Sequence, residues 1–240
     1  MRFVAIIEAR MTSSRLPGKV LMEVLGVSML ERLLIRLQSI ANLDEIIVAT
    51  TINIDDDPIV EIANKMGVMH FRGSEFDVLA RVVGAGVASN AGVVVEITAD
   101  CPIIDPRIIE QMIEIYKINE CDYLSNCHFR EFPDGMDVQL IDFRSLQESH
   151  SRELTQQDRE HVSLFMRNHP ELYRQIHIAA PENLRYPELR LTLDDEKDLQ
   201  FIAAIISHFE PGNILFGCGE ILEFLRNEFA KESIELDARL

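Results

Sequence analysis

Eleven consecutive residues, Ala9-Arg10-Met11-Thr12-Ser13-Ser14-Arg15-Leu16-Pro17-Gly18-Lys19, combine three cations, three hydroxyls and a turn-forming Pro-Gly. That set suits a polyphosphate. Hydroxyls and backbone N–H groups can surround phosphate oxygens, arginine grips them bidentately, and lysine acts as a mobile point charge. Ala9, Arg10, Ser13, Ser14, Arg15 and Lys19 are the candidate contacts. Neither of two familiar phosphate motifs is present. A Walker loop would need Gly where Ser13 stands and Ser or Thr where Val20 follows Lys19. Gly84-Ala85-Gly86 lies inside a helical pattern and lacks the third glycine of a dinucleotide fingerprint. On composition alone, a solvated loop carrying chance charges stays open as the alternative.

Two aspartates could complement the loop. Asp100 follows the run Val93-Val94-Val95-Glu96-Ile97-Thr98, and Asp194 follows Leu189 to Leu193. If both runs are strands parallel to the first, the two carboxylates project over the edge where the cationic loop emerges. Magnesium is usually held by one or two carboxylates plus phosphate oxygens and waters, which this pair could supply. The competing reading makes Asp100 a turn residue before Pro102. It makes Asp194 part of an acidic helix start with Asp195 and Asp198, which the helix dipole alone would explain. Asp55-Asp56-Asp57, just before Pro58, reads as a helix cap rather than a metal motif.

The elements that would position these groups follow from periodicity. Phe3 to Ile7 is a continuous apolar run, the mark of a strand buried on both faces. Residues 28–40 have helix spacing, with Ser28 and Glu31 forming a capping box. Strands are expected at Glu45 to Thr50, Val68 to Phe71 and Val93 to Thr98. Helices are expected at 58–66, 75–89 and 106–118. Strands alternating with helices imply βαβ units, hence an α/β fold of Rossmann-like type with a mixed, mostly parallel sheet. Ligands bind such sheets at the carboxyl edge, where the 9–19 loop would lie. Beyond residue 120 the pattern is less regular. Strands are expected at 121–127, 136–141, 173–179 and 189–193, with a turn at Phe132-Pro133-Asp134-Gly135 and helices at 155–167, 195–208 and 217–229. With no linker, repeat or low-complexity tract, residues 1–240 are expected to form one domain with an irregular excursion at about 120–187.

Composition narrows the classes further. The 240 residues carry 23 Lys and Arg against 40 Asp and Glu, a net charge of −17. This argues against a nucleic-acid partner, because phosphate backbones demand a basic footprint. Yet residues 1–40 hold six Lys and Arg against three Glu, a local basic patch suited to a small anion. Cys101, Cys121, Cys127 and Cys218 show neither C-x-x-C spacing nor histidine companions, so reduced thiols are expected and a zinc site is not. No apolar run reaches the roughly 18 residues of a membrane span, and the N-terminus reads as a strand rather than a signal peptide. The expectation is a cytoplasmic protein without membrane insertion.

The string Ala9-Arg10, then Ser13-Ser14-Arg15-Leu16-Pro17-Gly18-Lys19, after a buried first strand resembles the signature of the cytidylyltransferases that activate acidic sugars. That group makes CMP-octulosonic and CMP-nonulosonic acids, and the spore coat polysaccharide biosynthesis protein F branch is the most similar. The resemblance continues, in family order, through Arg72-Gly73-Ser74-Glu75, Asp77-Val78-Leu79 with Arg81, and Thr98-Ala99-Asp100-Cys101-Pro102. It resumes at Pro133 to Val138, Arg159-Glu160-His161-Val162 and Arg190 to Asp194.

The resemblance implies a glycosyltransferase-A-type nucleotidyltransferase fold and transfer of CMP from CTP to a small anionic acceptor, with release of pyrophosphate. It implies catalytic roles for Arg10, Lys19 and Asp100, cytidine binding near Arg72, Gly73 and Ser74, and Mg²⁺ on Asp100 and Asp194. Thr192 stands where some relatives carry a further aspartate, which leaves a second metal in doubt. Asp134, Gly135, Asp137, Gln139, Arg159 and His161 would serve the acceptor, although many relatives have Glu in place of Gln139. Asp77 with Arg81, and Arg159 with a helical neighbour, could equally be plain intrahelical ion pairs. A homodimer formed through the excursion is also implied. The rival functions are a nucleotide-sugar-dependent glycosyltransferase, which would release no pyrophosphate, and a nucleotide-binding partner without turnover.

Overall fold

A computed structural model describes residues 1–237. The last three residues of the expected 1–240 domain lie outside the described residues. The apolar run near the N-terminus forms strand β1 (Phe3–Glu8). The chain then passes the cationic loop and a single 3-10 turn, Lys19–Leu21, into a two-stranded antiparallel ribbon, β2 (Glu23–Val24) and β3 (Val27–Ser28). Helix α1 (Met29–Gln38) starts where the capping box predicts: Ser28 Oγ accepts from the Glu31 N–H, and Glu31 returns the bond to the Ser28 N–H.

Alternation continues with β4 (Glu45–Thr51), α2 (Asp57–Lys65), β5 (Met69–Gly73), α3 (Val78–Ala88), β6 (Val93–Thr98) and α4 (Pro106–Lys117). Then come β7 (Tyr123–Ser125), β8 (Gln139–Asp142), α5 (Phe143–His150), α6 (Gln156–Glu160), α7 (Leu164–Asn168), β9 (Gln175–His177), α8 (Glu196–Phe209) and α9 (Cys218–Asp237).

The sheet has seven strands in the order β5-β4-β1-β6-β8-β7-β9. β8 alone runs against the others, so the expected mixed, mostly parallel sheet is what forms. β1 lies near the middle between β4 and β6. One face buries Ala5, Ile7 and Val95 against α1, α4 and α8. The other buries Val4, Ile6 and Val94 against α3 and α5. Helix α3 can sit close because Gly84 and Gly86 leave room for the rings of Phe71 and Phe143. A Cβ at either glycine would collide with the ring. Among the described residues, no helix is long and apolar enough to cross a membrane.

The second half departs from expectation in four ways. The expected helix 155–167 is two short helices. His161 takes an extended conformation at the end of α6, and the break buries Val162 and lets Ser163 donate to Gln139. Helix α5 goes unpredicted, although Asp142 caps it through the Ser145 N–H. Residues 173–179 and 121–127 pair over only three residues each, in β9 and β7. Leu189 to Leu193 is not a ladder strand. It is an extended strap with a single bridge between Asp134 and Arg190. Two of its N–H groups join loops: Leu191 donates to Asp134 O at 2.7 Å and Leu193 to Asp100 O at 2.8 Å.

Candidate active site

The cationic loop turns back on itself at Gly18, whose left-handed backbone (φ 71°) lets its N–H reach Met11 O at 3.0 Å. Asp56 anchors the loop's start. Fully buried, it accepts from Met11 N–H at 2.7 Å through one carboxylate oxygen and from the Thr51 N–H and hydroxyl through the other. The Asp55-Asp56-Asp57 run is therefore only partly a helix start. Asp56 holds the N-cap position of α2, but its carboxylate tethers the loop to β4 instead of capping.

The loop delivers Lys19 to the two aspartates. Its ammonium lies 3.0 Å from Asp194 Oδ1, 3.4 Å from Asp100 Oδ2 and 2.6 Å from Leu193 O. Arg15 meets the same Asp194 oxygen at 2.9 Å, and Arg190 meets the other at 2.6 Å while also pairing with Asp198 at 3.0 Å. Burial pulls the Asp194 carboxyl upward. The Lys19 hydrogen bond and the charges of Lys19, Arg15 and Arg190 outweigh that pull and hold it below the usual range. Thus the strap carries Asp194 to the point where the expectation needed a strand end. A cation already bridges the two carboxylates, so they converge closely enough to share one. Among the described residues no three His, Cys, Asp or Glu side chains gather as a metal cage. A hard cation here would have to complete its shell with substrate oxygens and water, as magnesium does.

These groups line one end of a cleft of about 420 Å³ over the carboxyl edge of β1 and β6. Ala9, Arg10, Ser13, Ser14, Arg15, Lys19, Asp100 and Asp194 all border it. Arg10 is half-exposed, with a distant contact to Glu75 at 3.8 Å. Glu75 itself is held by Thr12 at 2.6 Å and Asn53 at 2.7 Å.

The other sequence candidates lie around the cleft at different removes. Arg72 is committed to the β4–α2 connection, donating to Thr51 O, Asn53 O and Asp57. Gly73 pairs with that connection, its carbonyl accepting from Ile52 N–H. Ser74 caps the turn into α3 and gives its carbonyl to Arg81. Of the acceptor set, His161 borders the cleft beside Glu160. Arg159 reaches across to Asp77 at 2.8 Å, so the pair is between helices, and Arg81 is not the i,i+4 partner of Asp77. Asp134 and Gly135 form the turn joined to the strap; Gly135 has a positive φ of 98°, and a Cβ there would also press on the Leu191 backbone. Burial, with neighbouring Asp134, raises the Asp137 carboxyl to about 6.

Sequence reasoning passed over one group. Glu8, at the end of β1, borders the cleft, and Glu96 lies buried on the neighbouring strand β6. The two carboxyls touch. Burial and this contact raise Glu8 well above the carboxylate range, and burial raises Glu96 to about 7. Gln139 donates its amide N–H to Glu96 at 3.0 Å while its carbonyl accepts from Ser163 at 2.7 Å and from the Tyr123 hydroxyl. The signal was available: a lone carboxylate within each of two apolar strands.

With this geometry in view, kinship can be assigned. The family model for cytidylyltransferases matches residues 4–227. The chain belongs to the cytidylyltransferase family. A cytidylyltransferase from Leptospira borgpetersenii superposes with a TM-score of 0.90 at 30% identity, covering 96% of both chains. The spore coat polysaccharide biosynthesis protein SpsF of Bacillus subtilis is 36% identical over 205 residues, 83% of this chain and 84% of its own. CMP:2-keto-3-deoxy-manno-octonic acid synthetase, solved in complex with CTP, shares the fold at a TM-score of 0.65 and 17% identity, covering 87% of this chain and 99% of its own. The resemblance seen in the motifs therefore holds along the chain, and so does the nucleotidyltransferase fold.

Proposed function

We propose that this cytidylyltransferase transfers CMP from CTP to a sugar acid or a similar small anionic acceptor, releasing pyrophosphate, in the biosynthesis of surface polysaccharide or glycoconjugate. The observation that carries the reading is the convergence of Lys19, Arg15, Asp100 and Asp194 in one cleft beside a loop of hydroxyls and backbone donors. Arg10, Arg15 and Lys19 bind the triphosphate. As the acceptor oxygen bonds to the α-phosphorus, the bond to the β-phosphate oxygen breaks, and Lys19 and the arginines stabilise the charge gathering on pyrophosphate. The rigid strap and the Asp56 tether hold these cations in place, so positioning supplies much of the rate. Asp100 and Asp194 fit one Mg²⁺, which when bound would neutralise phosphate charge and acidify the acceptor hydroxyl. His161 and Glu160 border the same cleft and would contact the acceptor.

The acceptor class and the pathway rest on family likeness, supported by the polysaccharide role in the name of the Bacillus relative. On the same basis the enzyme works in the cytoplasm as a homodimer. Support for the contact comes from the excursion's surface, where Phe129 is 53% exposed beside stacked His128 and His177. The deciding experiment is a pyrophosphate-release screen with CTP, Mg²⁺ and a panel of sugar acids and phosphorylated metabolites. Release that requires CTP and one acceptor is expected. Release from no member of the panel, with sugar transfer from a nucleotide sugar instead, would overturn the reading.

A further inference from the structure

We propose that Glu8 selects the nucleobase, its cleft-facing carboxyl oxygen accepting a hydrogen bond from the exocyclic amino group of cytosine. This rests on the CTP reading above and adds to it the side chain that would discriminate CTP from UTP.

The argument starts at the sheet. Val4, Ile6 and Glu8 share one face of β1, and on β6 Glu96 stands opposite Ile6, with Gln139 of β8 opposite Glu96 in turn. Glu96 and Gln139 thus stand side by side on this face, with Glu8 the diagonal neighbour of Glu96 toward the carboxyl edge and Thr98 opposite Glu8. Ser163 and Tyr123 both donate to the Gln139 carbonyl, which turns its amide N–H toward Glu96. Glu96, receiving that donor, is the member of the pair best able to keep its charge. Glu8 has no donor among the described residues, and its Oε1 is buried. Two touching carboxyls in a buried place are stable when they share one proton. Held by Glu8 and donated to Glu96, that proton satisfies the inner side of the pair. The remaining Glu8 oxygen is then an acceptor without charge, so it does not repel a triphosphate bound to the adjacent loop.

The cleft has the matching second feature. Arg81 is 3% exposed, borders the cleft beside Val78, and has a buried Nε–H without a partner. A nucleotide whose phosphates lie on the cationic loop has its base within reach of this end of the cleft. There it meets an apolar valine, a lone acceptor and a lone donor. Cytosine offers an amino donor beside ring acceptors. Uracil places a carbonyl where the amino group would be, so that acceptor would face acceptor.

The test is calorimetric titration of the full chain with CTP and with UTP in Mg²⁺, for the wild type, Glu8→Ala and Glu8→Gln. The wild type should bind CTP about tenfold more tightly than UTP or better. Glu8→Ala should lose about tenfold in CTP affinity, about 1.4 kcal/mol, with UTP binding no weaker than before. Glu8→Gln should keep the preference, because its amide can donate to Glu96 and leave its oxygen in the cleft. Glu8→Met replaces Glu8→Ala if the latter fails to fold. An undiminished preference in Glu8→Ala would overturn the assignment. So would an equal loss for both nucleotides, which would mean a ribose contact, or a Glu8→Gln as weak as Glu8→Ala, which would mean packing alone. A wild type that binds no CTP would overturn the cytidylyltransferase reading itself.

Discussion

Lys19 links the two halves of the site, since its ammonium touches Asp100, Asp194 and the Leu193 carbonyl at once. On the proposed mechanism, removing it would strip charge stabilisation from the leaving pyrophosphate and take away the cation that bridges Asp100 and Asp194. Lys19→Ala is expected to lower the rate of pyrophosphate release by roughly 100-fold or more, the usual loss when one preorganised stabilising group is deleted. Asp100→Asn should act on the same step. Steady-state assays paired with thermal melts check this, and near-normal turnover in either variant would remove that residue from the reaction. Both positions were open to sequence reading because residue type and order name them. The Glu8–Glu96 pair was harder to read: a carboxylate in a strand gives no sign of which neighbour it will touch.

At the scale of elements, the loop's shape depends on a residue far along the chain. Asp56 spends both carboxylate oxygens on Met11 and Thr51, so a single buried side chain ties the cationic loop to β4. Asp56→Ala would orphan buried donors at both ends, costing about 2–4 kcal/mol of stability, and would loosen the loop. Denaturant unfolding should report the first effect and a raised KM for the nucleotide the second. An unchanged KM would show that the loop holds its shape unaided. The short β2–β3 ribbon carried no local signal. Strands β1, β4, β5 and β6 and the helices α1 to α3 could be read from period and caps, because apolar runs and capping residues are local signals. The 189–194 strap could not. Its sequence has strand character, but Leu191 and Leu193 donate to the carbonyls of Asp134 and Asp100, partners chosen only when two distant loops meet. Likewise, the helix expected over 155–167 breaks at His161 because Ser163 has a partner on β8.

Across the whole molecule, a net charge of −17 coexists with carboxyls that resist ionisation. Burial raises Glu96 to about 7 and Asp137 to about 6, against ordinary values near 4.5 and 3.8. Glu96 faces Glu8 on β1 and Gln139 on β8, with Arg167 of α7 lowering its pKa slightly. Between the ordinary and the raised values the native state keeps protons that the unfolded chain has released, so stability falls as pH rises from about 4 toward 7. Below that window both states are protonated and these groups contribute no slope. Denaturation midpoints taken from pH 4.5 to 7.5 should show the decline, and Glu96→Gln should flatten it. A slope unaltered by that substitution would mean that Glu96 is ionised throughout.

The amino-acid order alone determined the α/β alternation, the buried first strand, the capping of α1, and the loop and aspartates with the types that phosphate chemistry needs. Those are matters of local period, backbone propensity and side-chain inventory, all written in neighbouring residues. Only the folded chain decided that Asp194 arrives on a strap, that Asp56 is a tether, and that Glu8 and Glu96 share a buried contact. Each of these depends on hydrogen-bond partners and burial set by residues dozens of positions away, and no stretch of sequence short enough to read by pattern contains both members of such a pair.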